Sequence, residues 1–161
     1  MKTSQEQILD KIEERLRLIK AGNGYQNTID RFKRERVTEF GGKDIPVCFY
    51  HGESDVKQED EYGRNKRRLY VPITTFVRSR DYSYTDLAFQ VASDIWIALN
   101  RDKTAPAVTD VVSPDLGGLV SSLSIDEITP IIGQGQSPYC GVLVIALANY
   151  FSDLYDPFTI K

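Results

Sequence analysis

The sequence predicts one α/β (α+β) domain with the element order α-β-β-β-α-β-β. Three stretches predict it. Residues 8–19 repeat apolar side chains at helical spacing. Residues 69–78 alternate apolar and polar positions, as a strand does. Residues 83–99 open on a capping pattern and continue with a second apolar stripe. The 161 residues suit a single domain spanning 1–161. With 41 % apolar and 27 % charged residues, the chain can bury a core without metals or disulfides.

Charge and composition narrow the function. The net charge is −3, whereas a nucleic-acid binder is usually basic or carries a large one-signed patch. Specific nucleic acid is therefore not an expected partner. Both cysteines, Cys48 and Cys140, sit in runs that read as strands and are expected to be buried free thiols. The first residues, MKTSQEQILDK, lack the apolar stretch of a secretory signal. No apolar run approaches the roughly 18 residues of a membrane span. No membrane contact is expected, and synthesis in a cytoplasm fits.

Taken in order, residues 4–20 read as a helix with Ile8, Ile12, Leu16 and Ile19 on one side. Thr3 and Glu6 form a capping box, Glu13 and Arg17 an i,i+4 pair, and Gly22 is the expected C-cap. Residues 28–38 (TIDRFKRERVT) read as a weakly apolar strand. Its basic residues, Arg31, Lys33, Arg34 and Arg36, alternate with Asp30 and Glu35, which favours a solvated edge over a phosphate site. Residues 45–51 read as a short strand. His51, which ends it, is the only histidine and has neither metal-ligand company nor a visible nucleophile.

Residues 53–68 (ESDVKQEDEYGRNKRR) read as a mobile polar loop that changes sign midway. Glu53, Asp55, Glu59, Asp60 and Glu61 come first, then Arg64, Lys66, Arg67 and Arg68. The acids lack the register of a calcium loop. A two-signed loop suits a polyanion poorly and a protein partner well, because opposite charges on neighbouring molecules set register. These nine residues are the candidate interface.

The strongest strand is 69–78, with Leu69, Val71, Ile73, Thr75 and Val77 on one face. Pro72 cannot donate to a ladder and is expected to mark an edge, a bulge or the strand's entry. Ser83 and Asp86 cap the second helix. Ala88, Val91, Ala92, Ile95 and Leu99 form its buried face, with Phe89 and Trp96 flanking it. Residues 103–118 read as a second mobile loop. A strand follows over 119–132, broken near Pro130. Residues 139–150 (YCGVLVIALANY) are almost continuously apolar and read as a strand covered on both faces, and the preceding GQGQSP turn favours strand over buried helix. Residues 152–161 read as an extended tail. The chain shows no nucleophile elbow, P-loop, CxxC or HExxH, and the GxG at 133–135 precedes no helix. No catalytic residue, metal ligand or cofactor is assigned.

One succession has a recognisable order. It begins with the helix ILDKIEERLRLIKA, then GNGY, and a strand ending in HGES. An acidic stretch closes on YGRNKRRL and leads into VPITTFV and a helix starting TDLAFQVASDI. LGGLVSSLSIDEITPI and a final apolar strand complete it. This order resembles phage minor tail proteins of the tail-terminator family. The resemblance implies a mixed or mostly antiparallel sheet with two helices packed on it. It also implies a homo-oligomeric ring, typically a hexamer, on the end of the tail tube, which stops tube polymerisation and presents a surface for head joining. The implied partners are the chain itself, the tail tube protein and head–tail connector or neck proteins, in the virion and without a cofactor. A head–tail connector or tail-completion protein is the neighbouring reading. A small metal-dependent enzyme acting on phosphate esters through the same charged stretch is a third.

Overall fold

The computed structural model describes residues 1–61, 64–79, 83–101, 115–132 and 139–153, together with 156, 158 and 160. It contains α1 (Ser4–Leu16), β1 (Arg31–Lys33), β2 (Val47–Tyr50), β3 (Ser54–Glu61), β4 (Arg64–Arg78), α2 (Tyr84–Asn100), β5 (Ser122–Ile132) and β6 (Tyr139–Asp153). The strands form one six-stranded sheet in the order β1-β2-β4-β6-β5, with β3 also paired to β4. β1 runs parallel to β2 and every other pairing is antiparallel. The fold is therefore α+β with a mixed, mostly antiparallel sheet, and it holds one strand more than the sequence pattern predicts.

That extra strand is β3, taken from the sequence as part of a mobile loop. Its residues, SDVKQEDE, have no alternating apolar face to announce them. It forms because its backbone pairs with β4 from Ser54 opposite Tyr70 to Glu61 opposite Arg64. β1, in contrast, shrinks from the expected 28–38 to three residues. Ile29 and Phe32 still pack in or against the core, but Arg34 then turns toward α1 and bonds Asp10. The chain leaves the sheet there, and Val37 is 46 % exposed.

α1 keeps its expected capping box, with Thr3 and Glu6 bonding reciprocally. The helix ends at Leu16, and Ile19 stays buried because the last turn tightens into Leu18-to-Arg15 and Ile19-to-Leu16 bonds. Arg17, not Gly22, is the C-cap. Left-handed Gly24 (φ 88°) instead closes a short 3-10 turn at Ala21–Asn23.

Pro72 lies inside β4, opposite Ile145, with no bulge. Its place is explained by the other flank of β4, where β3 pairs through Tyr70 and β2 begins at Ile73. Glu53 donates to the Tyr70 carbonyl on that flank, so by alternation the missing Pro72 N–H faces the gap between the two partners. A proline there forfeits no ladder bond. β5 likewise runs unbroken through Pro130. Its irregularity is a bulge between Ile125 and Glu127.

Both helices cover one face of the sheet. Ile8, Ile12 and Leu16 of α1 and Val91, Ile95 and Leu99 of α2 meet Val71, Ile73, Val142 and Val144 in the main core. On the other face, Phe40 and Ile45 roof a smaller cluster around Val47, Phe49 and Phe76. Gly141 is required beneath Phe76, since a Cβ there would come within 2.8 Å of the ring. Cys48 and Cys140 are buried free thiols, as expected, and burial pushes Cys48 up to about 12, so its thiol stays protonated. Of the expected second loop, residues 103–114 lie outside the described set. Residues 115–119 form a turn that buries Leu116. In the tail, β6 extends to Asp153, and Ile160 bridges back to Ser152.

Two polar anchors hold the helices. Asp94, 1 % exposed on α2, accepts from the Gln26 N–H at 3.0 Å, the Asn27 N–H at 2.8 Å and Asn27 Nδ2 at 2.9 Å. Asp94→Ala leaves those donors unmet inside the protein, and urea unfolding should show a loss of about 2–4 kcal/mol. On α1, Glu13 accepts from the Tyr50 hydroxyl and from Arg17, while Asp10 accepts from Lys2 and Arg34. Burial pushes the Glu13 carboxyl up, but the Tyr50 and Arg17 bonds outweigh it and hold the group below its ordinary value. The Lys2 bond holds Asp10 low too, against a smaller opposing effect of burial. A carboxyl depressed in the folded state stabilises fully above its unfolded pKa and loses that stabilisation as pH falls through the folded pKa. Stability should therefore drop on acidification below the ordinary glutamate value of 4.5. Glu13→Gln should flatten that part of the stability–pH curve measured by chemical denaturation.

Candidate functional site

The nine candidate interface residues lie on β3 and β4 or just before them, so the charged stretch is a paired hairpin. Register sets acids against bases within one chain. Glu59 lies opposite Lys66, Asp60 opposite Asn65 and Glu61 opposite Arg64. A shift between Lys57 and Glu59 bulges β3 midway. Glu53 precedes the strand and ties it to β4 by its backbone N–H. Tyr62 and Gly63, the turn itself, lie outside the described residues.

The hairpin divides into an anchored half and an outer half. Asp55 accepts from Arg67 Nε at 3.0 Å, from the Tyr150 hydroxyl at 2.7 Å and from Gln5 Nε2 of α1. Four elements thus converge on one carboxylate that is 15 % exposed. Burial works against the Arg67 charge, and the Asp55 carboxylate beside it more than offsets that, so the guanidinium is held firmly protonated. Burial and the bond to Asp55 push the Tyr150 phenol far above its ordinary value, and it stays a donor. On the opposite sheet face Arg68 Nε donates to Asn149 Oδ1 at 2.9 Å, and Asn149 Nδ2 donates to Ser122 Oγ at 2.9 Å. This chain of bonds crosses β4, β6 and β5. Arg64, near the tip, is exposed.

Chemically, the Asp55 cluster is a clamp. Its aspartate is neutralised by Arg67 and oriented by two further donors. Among the described residues, no group of three or more His, Cys, Asp or Glu side chains is placed to hold a metal ion. No described helix is long and apolar enough to cross a membrane. His51 is partly buried, and burial pushes it below its ordinary value, with Glu53 opposing and Arg36 adding to the shift.

The sequence reading gathered the hairpin's charges but missed Gln5, Tyr150 and Asn149. Tyr150 is 95 positions from Asp55, and no local pattern announces a partner at that range. Phe89 and Trp96 are a correction. They do not flank a buried face but stand out from α2, 47 % and 57 % exposed. They share the helix's outer side with Ser93, while Leu87, Val91, Ile95 and Leu99 point inward. Comparison with protein-family models and with curated proteins finds no match to the chain.

Arg67 and Arg64 should therefore behave differently. Arg67→Glu sets a second acid against Asp55 and should cost about 2–3 kcal/mol in urea unfolding. Arg64→Glu with Lys66→Glu should change stability by less than about 1 kcal/mol, as exposed pairs do.

Proposed function

We propose that this chain is a structural phage tail protein, a tail terminator that closes as a ring on the end of the tail tube. The ring, a hexamer of this chain, ends tube polymerisation and offers the surface to which head–tail connector or neck proteins join. The reading rests on the ordered succession from YGRNKRRL through VPITTFV and TDLAFQVASDI to LGGLV. The structural observation that carries it is the outer half of the β3–β4 hairpin. Glu59 and Glu61 of β3 stand opposite Lys66 and Arg64 of β4, and β3 is an outer strand that pairs with β4 alone among the described strands. A two-signed strip of this kind sets register between protein surfaces and discriminates against wrong partners. Asp55 and Arg67 support it from beneath, because their clamp fixes the hairpin on the body. A repeated contact between unlike surfaces closes into a ring when its rotation divides a full turn.

Electron microscopy of tails assembled without this protein provides the test. Tubes should run past their normal length, and adding the purified chain during assembly should restore it. Tubes of normal length overturn the terminator reading. Normal-length tails that fail to join heads assign the chain to the neck instead.

A further inference from the structure

The chain passes from β2 to β3 along the outer flank of β4 through residues 51–53. β2 ends at Tyr50 opposite Ile73, and β3 begins at Ser54 opposite Tyr70. The bond from the Glu53 N–H to the Tyr70 carbonyl, at 2.9 Å, ties this crossover to the sheet. Gly52 sits tightly beneath it. A Cβ there would lie 3.4 Å from Leu69 and 3.6 Å from Leu9, so the crossover rests on both β4 and α1. β3 follows at once. None of its described side chains joins either apolar cluster, so its place depends on the pairing that starts at the crossover and on the Asp55 clamp.

His51, the chain's one histidine, opens the crossover. Its Nε2 is buried, and among the described residues nothing bonds it. A neutral imidazole tolerates that place, because with its hydrogen on Nδ1 the sealed nitrogen is only an acceptor. An imidazolium does not, because both nitrogens then carry hydrogens and the charge needs a partner or water. Among the described residues two charges act on the ring. Glu53 of the same crossover favours the protonated form, and Arg36 of the chain after β1 disfavours it. Burial outweighs Glu53. β4 and α1 meet the crossover through Leu69 and Leu9, which bring no charge.

We infer that His51 is an acid-operated latch: on taking up a proton it opens the 51–53 crossover and loosens β3 from the outer flank of β4. Opening gives the imidazolium the water that its closed position denies it. The β4–β6 ladder need not move, since β3 pairs on the other flank of β4. The sign of the linkage sets the pH window. A histidine that is harder to protonate in the closed state stabilises that state fully above its free value of 6.5. That contribution is lost as pH falls from there through the closed-state value. Glu13 and Asp10 act at lower pH, so the two effects separate. β3 is half of the hairpin assigned to ring contacts, so mild acid should also weaken assembly. That consequence rests on the ring reading, whereas the latch does not.

Two measurements on the full chain test it. Proton NMR follows the titration of the one imidazole. Hydrogen exchange, corrected for the intrinsic pH dependence of exchange, follows the β3 amides with those of α2 as reference. The ring should titrate below 6.5. From about pH 7.5 to about pH 5, opening of β3 should rise about threefold or more relative to α2. The two readouts are tied, because the rise equals ten raised to the measured difference between the free and closed pKa values. His51→Gln, uncharged at every pH, should abolish the rise. A ring that titrates at or above 6.5 overturns the inference, as does β3 exchange that ignores pH or a rise that His51→Gln leaves unchanged. If the variant already loses β3 protection at neutral pH, agreement between the two wild-type readouts decides, and disagreement overturns the latch. Tube length in tails lacking the protein decides the terminator reading separately.

Discussion

The β4–β6 ladder is the constraint on which the rest of the structure depends. Each strand has 15 residues, and they pair without a shift from Arg64 opposite Asp153 to Arg78 opposite Tyr139. Because side chains alternate, that single register assigns every residue of both strands to a face. Leu69, Val71, Ile73, Val142, Val144 and Ala146 receive the helices. A slip of one position would turn them outward and bury Arg68, Tyr70, Ile145 and Asn149 in their place. All other strands attach to this pair, β2 and β3 on one flank and β5 on the other, with β1 beyond β2.

The ladder also explains the hairpin. β4 is longer than any one partner on its outer flank, so two short strands share it end to end. The handover falls at Val71 and Pro72, where neither β3 nor β2 pairs. The chain between them, 51–53, crosses there and donates one bond to Tyr70. β3 has little apolar surface of its own to bury, and Val56 is 43 % exposed. It is held by backbone pairing and by Asp55, whose carboxylate joins α1, β4 and β6. All three donors meet Oδ2 while the buried Oδ1 has no partner, so removing a donor leaves the carboxylate still less satisfied in a poorly solvated place.

Much of the fold was legible in the sequence because its main signals are periodic. α1, α2, β4 and β6 each carry a stripe or alternation that only burial requires, and the cap residues Thr3 and Ser83 sit where they were expected. β3 was not legible, because a strand held by backbone pairing and one part-buried carboxylate need not alternate. The length of β1 was not legible either, since Arg34 leaves the sheet for Asp10, a long-range contact. Pro72 was misplaced because a proline reveals only that one N–H is missing, not which flank lacks a partner. The candidate site was half legible. Its charges stand together in sequence, but the split between clamp and outer strip depends on Gln5 and Tyr150. Trp96 and Phe89 were assigned beside the core because a helical stripe of apolar residues looks the same whether its border meets the protein's own interior or another surface.

That ambiguity has a physical resolution here. A helix lying on a sheet buries a limited arc, and α2 fills it with Leu87, Ala88, Val91, Ala92, Ile95 and Leu99. Phe89 and Trp96 fall outside the arc, so the chain's own core gains little from them. Exposing large rings on a solvated helix costs solubility and favours non-specific association. β6 poses no such question on the other side of the sheet, where Leu147 is buried and Leu143 and Ile145 are half-buried within the chain itself.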